Sequence, residues 1–390
     1  MMESFLTEVL GEIESKGLKR GLKSVEGSQG RKIVIEGKEV LNFCSNNYLG
    51  LADDSRLKEA AIASMAREGF GSGASRLVCG NMAAHRALEK KIAEFKGAEG
   101  ALVFSSGYMA NVGIISSVFG RGDIIFSDKL NHASIIDGIL LSGAELKRYP
   151  HCSMEALEDF LKKSKIKGKR AIITDSVFSM DGDLAPLDKI TALAKKYNCI
   201  TMVDEAHAFG VFGKKGKGLL EHLGLEGKVD IQMGTLSKAA GSFGAYVCGS
   251  RALVDFLINR ARSFVYTTAM PPSVATASLK AIEIIEHEPK LRQQLWLSTN
   301  HLREGFRKLG FDTMNSQSPI IPILVKDAKL AVEFSKKLFE AGIFVQAIRP
   351  PTVPRNTSRL RVTVMATHTR GDLNFILKNF EKIGRNLCLL

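Results

Sequence analysis

At 390 residues, with 45% hydrophobic and 24% charged side chains and 36 Gly against 10 Pro, the chain has the composition of a folded protein with room for a large domain and a smaller one. The formal net charge of +13 favours anionic partners. Its short basic clusters, 162–170 and 214–217, lack interleaved aromatics, which sets nucleic acid aside and leaves phosphate-bearing small substrates or an acidic carrier protein.

In chain order, residues 1–45 read as a helix studded with Glu3, Glu8 and Glu12, then a hairpin at 32–35 and 39–43 with Gly37 near its turn. A secretory signal needs a basic start and an unbroken apolar run, so this is not one. No stretch reaches the ~18 apolar residues that cross a membrane. The six cysteines include no C-x-x-C pair, so neither a metal site nor a disulfide framework is expected, and reduced thiols in the cytoplasm fit best.

Through 46–270, β-rich runs at 101–104, 123–126, 171–174, 200–203 and 245–248 alternate with helical patterns at 109–118, 133–141, 154–163 and 187–197. That alternation predicts an α/β fold with a mostly parallel central sheet and helices on both faces. In such sheets ligands bind beyond the carboxyl ends of the strands. Residues 271–390 read as a smaller α+β domain. It has two long helices, strands at 320–325, near 343–346 and at 359–364, a helix at 330–341 and a last helix from Gly371.

The segment MGTLSKAAGSFGAYVCG, 233–249, places Lys238 on a turn after a strand, with Thr235 and Ser237 before it and Gly241 and Gly244 leaving room beside it. A pyridoxal 5′-phosphate (PLP) site needs this chemistry: an amine to condense with the aldehyde, and hydroxyls and backbone N–H groups to hold the phosphate. Taken by itself the string also suits a solvated lysine in a glycine-rich loop. VDEAHAFG, 203–210, closes an earlier apolar run, and Asp204 there can face a pyridine nitrogen and keep it protonated, with His207 in reach of the phenolic oxygen. The letters DEAH also suggest nucleotide hydrolysis, but that chemistry needs an upstream G-x-x-x-x-G-K-[ST] loop, which this sequence lacks.

Three further strings stand at strand ends. FSSGYMAN, 104–111, starts a helix whose free N–H groups suit a phosphate at Ser106, Gly107 and Tyr108; plain capping by Ser106 is the simpler alternative. SDKLNHASIIDG, 127–138, carries His132, an ordinary capping residue unless a ring is present for it to stack on. DSVFSMDGD, 175–183, offers Ser179 to a phenolic oxygen. One sheet edge can gather all five elements.

In this order and spacing, together with SNNYLGL (45–51), GSGASRLVCG (71–80) and ATHT (366–369), these strings resemble the α-oxoamine synthases of the PLP-dependent aminotransferase fold, fold type I, over nearly the whole chain. The resemblance implies that Lys238 binds the cofactor covalently, Asp204 partners its ring nitrogen, and His132 stacks on the ring and meets the substrate. It makes Ser179 and His207 donors to the phenolic oxygen and Gly107, Tyr108 and Thr235 phosphate contacts. Thr267 or Thr268, in YTTAMPP (266–272), would reach the neighbour's phosphate in a homodimer.

Arg361 would bind the amino-acid carboxylate, with Arg20, Asn47 and Thr352 at substrate positions. AIRPPTVP (347–354) and RLRVT (359–363) resemble the branch that joins L-alanine to a pimeloyl thioester carried on coenzyme A or a carrier protein. RLVCGNMAAHRALEKK (76–91) resembles the sister branch that uses glycine and acetyl-CoA. Non-catalytic relatives usually lose the lysine, and Lys238 is present.

Overall fold

The computed structural model describes residues 1–15 and 18–390. Strands β1 (Val25–Glu26), β2 (Lys32–Ile35) and β3 (Lys38–Asn42) open the chain. The central sheet follows with β4 (Gly100–Phe104), β5 (Ile124–Asp128), β6 (Glu145–Tyr149), β7 (Arg170–Asp175), β8 (Ile200–Asp204), β9 (Ile231–Thr235) and β10 (Ala245–Gly249). The last strands are β11 (Ile320–Lys326), β12 (Ile343–Phe344), β13 (Gln346–Ile348) and β14 (Ser358–Thr363).

The central order is β4-β10-β9-β8-β7-β5-β6. Strands β5 to β9 pair in parallel, whereas β10 is antiparallel to both β9 and β4. The carboxyl ends of six strands therefore share one edge, where β10 begins. Successive side chains along each strand enter opposite cores: Val103, Phe126, Ile172 and Val203 on one face, Leu102, Ile125, Ile173 and Met202 on the other. This is why these strands read as continuous apolar runs and not as alternating ones. Helices Gly107–Val118, Ala133–Ser142 and Arg251–Arg260 cover one face; Ala83–Lys96, Met154–Lys163, Leu187–Lys196 and Pro272–His287 cover the other. The α/β fold expected from the alternation is the fold observed.

Two differences have physical causes. Strand β6, with sequence ELKRY, was not expected; as the sheet's edge strand it is mostly exposed, so it carries no apolar run. The single strand expected near 343–346 is two strands in two sheets: β12 runs parallel to β3, while β13 pairs with β14. The opening hairpin and the C-terminal region are thus joined by a shared sheet, and helix Pro272–His287 lies against Ser55–Glu68 and Ala83–Lys96.

Two glycines let loops lie close to neighbouring backbone at the strand-end edge. Gly241 has φ +63°, and a Cβ there would fall 2.3 Å from the Ala52 nitrogen. Gly182, at φ +72°, would meet the Ile320 carbonyl at 2.2 Å. A side chain at either position would be strained by backbone conformation and by contact.

Candidate active site

At the end of β4, Ser106 caps helix Gly107–Val118 by accepting a hydrogen bond from the Met109 amide at 3.2 Å. The cap leaves the Gly107 and Tyr108 amides at the positive end of the helix, a position that suits an anion. A Cβ on Gly107 would press on Met233 at 3.2 Å. Tyr108 is exposed and donates its hydroxyl to Asp137 at 2.7 Å. Thr235, at the end of β9, donates to the Gly244 carbonyl at 2.9 Å, and its hydroxyl lies 2.7 Å from that of Ser237. Thr267 and Thr268 line a small cleft together with Phe104 and Ser105 of the same chain.

Asp204 ends β8 and is 4% exposed. One oxygen accepts from Asn111 Nδ2 and the other from the Ala206 amide, each at 2.8 Å. Among the described residues no cation pairs with it. Asn111 also donates to Ser134 at 2.9 Å, and the Ser134 hydroxyl lies 2.8 Å from His132 Nδ1. A short polar chain thus runs from the Asp204 carboxylate to His132, whose ring is exposed. The His132 amide donates to Asp175 at 2.7 Å. Burial, and then the charge of Asp204, hold the Asp175 carboxyl well above the usual carboxylate range. Of the two neighbouring acids, Asp204 accepts two hydrogen bonds and Asp175 the one from the His132 amide.

Lys238 is half-buried in the loop after β9. Burial pushes its amine down to about 8; Asp204 and Asp175 pull the other way, and Arg361 adds to the depression. Such an amine is part neutral near neutral pH, as a nucleophile or base must be.

His207 is buried, with Nδ1 2.7 Å from the Tyr48 hydroxyl. Burial, followed by Lys238 and Arg361, keeps its pKa well below the ordinary histidine value. Arg361, in β14 and 7% exposed, donates to the Ser179 carbonyl at 2.6 Å and to Asn46 Oδ1 at 3.0 Å. No carboxylate among the described residues pairs with it. Two residues earlier, Arg359 forms a buried ion pair with Asp181 at 2.6 Å. The same strand therefore grips the Ser179 loop twice.

Further out, Arg20 donates to the Thr352 hydroxyl at 3.1 Å, so these two expected substrate residues meet each other. Asn47 faces elsewhere: its amide donates to the Gln29 carbonyl and its oxygen accepts from the Ala52 amide, both at 3.2 Å. Its neighbour Asn46 is the residue that meets Arg361.

A family model described as aminotransferase class I and II matches residues 38–380. The chain belongs to the aminotransferase class I and II family. Within this family it is 51% identical over 383 residues to the 8-amino-7-oxononanoate synthase of Geobacter sulfurreducens, covering 98% of both chains. A serine palmitoyltransferase solved with PLP superposes with a TM-score of 0.94 at 32% identity, covering 99% of this chain and 98% of its own. The 8-amino-7-oxononanoate synthase of Francisella tularensis superposes at 0.78 with 34% identity, covering 89% and 98%. The α-oxoamine synthase resemblance drawn from the motifs agrees with these findings.

The donor set of this family member suits PLP. A buried carboxylate without an ion-pair partner among the described residues suits a protonated ring nitrogen, a depressed amine suits an aldehyde, and a helix start at Gly107 suits a phosphate. Sequence reasoning did not single out Asn111, Ser134, Asp175, Tyr48 or Asn46, although all of them stand inside quoted strings. Among the described residues, the one His/Cys/Asp/Glu group close enough to hold an ion is Asp128, His151 and Cys152. His151 bridges Asp128 at 2.9 Å and Asp183 at 2.7 Å. Burial acts to lower its pKa, yet those hydrogen bonds outweigh burial and push it up to about 12, so the ring offers protons there and not a lone pair.

Proposed function

We propose that this chain binds PLP at Lys238 and condenses L-alanine with a pimeloyl thioester, releasing carbon dioxide and the thiol and leaving 8-amino-7-oxononanoate. One observation carries the reading: the depressed amine of Lys238 feels both a buried carboxylate at the end of β8, Asp204, and a buried cation in β14, Arg361, and among the described residues neither has an ion-pair partner. Isolated buried charges are costly, and two of opposite sign near one amine fit a ligand that neutralises both. Kinship at 51% identity across 98% of the chain supports the choice of reaction.

When bound, PLP supplies an aldehyde for the amine and a protonated ring that withdraws electrons from the amino acid's α-carbon. Asp204, fixed by Asn111 and the Ala206 amide, would hold the proton on the ring nitrogen. His132 would hold the ring and meet the substrate, and His207 and Ser179 would donate to the phenolic oxygen. Ser106, Gly107, Tyr108 and Thr235 would hold the phosphate. Arg361 takes the alanine carboxylate and so fixes which bond at the α-carbon is aligned for cleavage. Lys238, once its amine is free, removes the α-proton and returns a proton to that carbon after carbon dioxide has left.

Arg20, Asn47 and Thr352 contribute to substrate binding, and the net charge of +13 suits the phosphates of coenzyme A or an acidic carrier. Thr267 or Thr268 reaches the phosphate of a second copy in a homodimer. Residues 1–45, 46–270 and 271–390 act as N-terminal segment, cofactor domain and small domain. The cytoplasm is the compartment that suits six free cysteines, and among the described residues no helix is long and apolar enough to cross a membrane.

The segment 76–91 favours a second reading, glycine with acetyl-CoA. Thiol release measured with alanine plus pimeloyl-CoA and with glycine plus acetyl-CoA separates the two. Faster turnover of the first pair is expected; turnover confined to the second would overturn the choice of substrates while leaving the cofactor chemistry standing.

A further inference from the structure

Tyr48 has no part in the roles given so far, yet among the described residues it is the hydrogen-bond partner of His207. Its hydroxyl lies 2.7 Å from His207 Nδ1 and 3.4 Å from Asn46 Oδ1. The two residues are 1% and 8% exposed, so their polar atoms depend on protein or ligand partners.

A hydroxyl has one proton to give. Asn46 Oδ1 already accepts from Arg361 at 3.0 Å, and 3.4 Å is long for an O–H donor, whereas 2.7 Å is an ordinary hydrogen-bond length. The proton therefore points to His207 Nδ1, and a neutral ring must then carry its own hydrogen on Nε2. Both protonation states suit this arrangement. Burial, with Lys238, Arg361 and His132 adding to it, keeps the His207 ring neutral. Burial pushes the Tyr48 hydroxyl up to about 12, against the opposing effect of Arg361, so the phenol keeps its proton.

We propose that Tyr48 is a positioning residue that sets the His207 tautomer, making Nε2–H the donor available to the phenolic oxygen of the cofactor. The Tyr48–His207 bond stands independently; its consequence for the cofactor rests on the function proposed above. With the opposite tautomer, Nε2 would turn a lone pair toward an oxygen that carries negative charge, and the contact would become repulsive.

Nitrogen-15 spectra of the histidine rings test this in the full-length protein as purified with PLP, with His207→Asn identifying the resonance. The wild type should show an unprotonated Nδ1 and a protonated Nε2 on His207 from pH about 6 to about 8. Tyr48→Phe should shift the Nδ1 signal and place the proton on Nδ1 in part of the population. It should also lower kcat by up to about tenfold, the worth of one hydrogen bond, with the alanine KM changed by less than about twofold. A wild-type ring protonated on Nδ1, or ring signals unmoved in Tyr48→Phe, overturns the assignment. If Tyr48→Phe does not fold, the wild-type signals decide alone. If those signals are as expected and the protein shows no visible cofactor absorbance, it is the PLP reading that fails.

Discussion

Asp204 ends a strand bonded on both sides, is 4% exposed and has a fixed donor on each oxygen. Arg20 and Thr352 lie in surface segments and hold each other through one 3.1 Å bond. The first region is set rigidly before any ligand arrives, while the second can yield to the ligand's shape. On the proposed function the bond-making groups belong to the deep sheet edge, and the outer rim contributes only to substrate binding.

Changes at the deep edge should cost most. Lys238→Ala should abolish both turnover and visible cofactor absorbance, and an active variant would refute the assignment. Asp204→Asn keeps the shape but removes the charge opposite the ring nitrogen. It should lower kcat by roughly 10²–10³-fold while Lys238 still binds the cofactor, as an absorbance spectrum would show. Arg361→Ala should raise the alanine KM by about 10- to 100-fold, the worth of charged hydrogen bonds, and leave the thioester KM nearly unchanged. At the rim, Thr352→Ala should alter the thioester KM by less than about tenfold and leave the absorbance untouched. A rim substitution that removed the cofactor band would erase the distinction between the regions.

His151 acts through stability and not through catalysis. With a folded pKa of about 12 against an ordinary 6.5, its contribution is complete below pH 6.5 and is lost as pH rises through about 12. Melting temperatures of His151→Gln and wild type should therefore converge as the pH is raised above neutrality toward that value. A gap that widens with pH would contradict the bridge between Asp128 and Asp183.

The deep edge was also the more legible region. Lys238, Asp204 and His132 each stand in a short string that has a simpler alternative when taken by itself, and the strings become legible together through their order along the chain. Asn111 and Tyr48 act by holding partners 93 and 159 positions away, and no local pattern reveals a contact at that separation. Between the adjacent Asn46 and Asn47, only the path of the loop decides which side chain meets Arg361. Strand β6 was missed for a related reason: periodicity reports burial, and an edge strand has little.

The most direct test of the account is to treat the purified protein with borohydride, which fixes a covalently bound cofactor to its amine, and to map the modified peptide by mass spectrometry. A pyridoxyl group on Lys238 is expected. A label on another lysine, or none on a protein that still turns over alanine and pimeloyl-CoA, would contradict it.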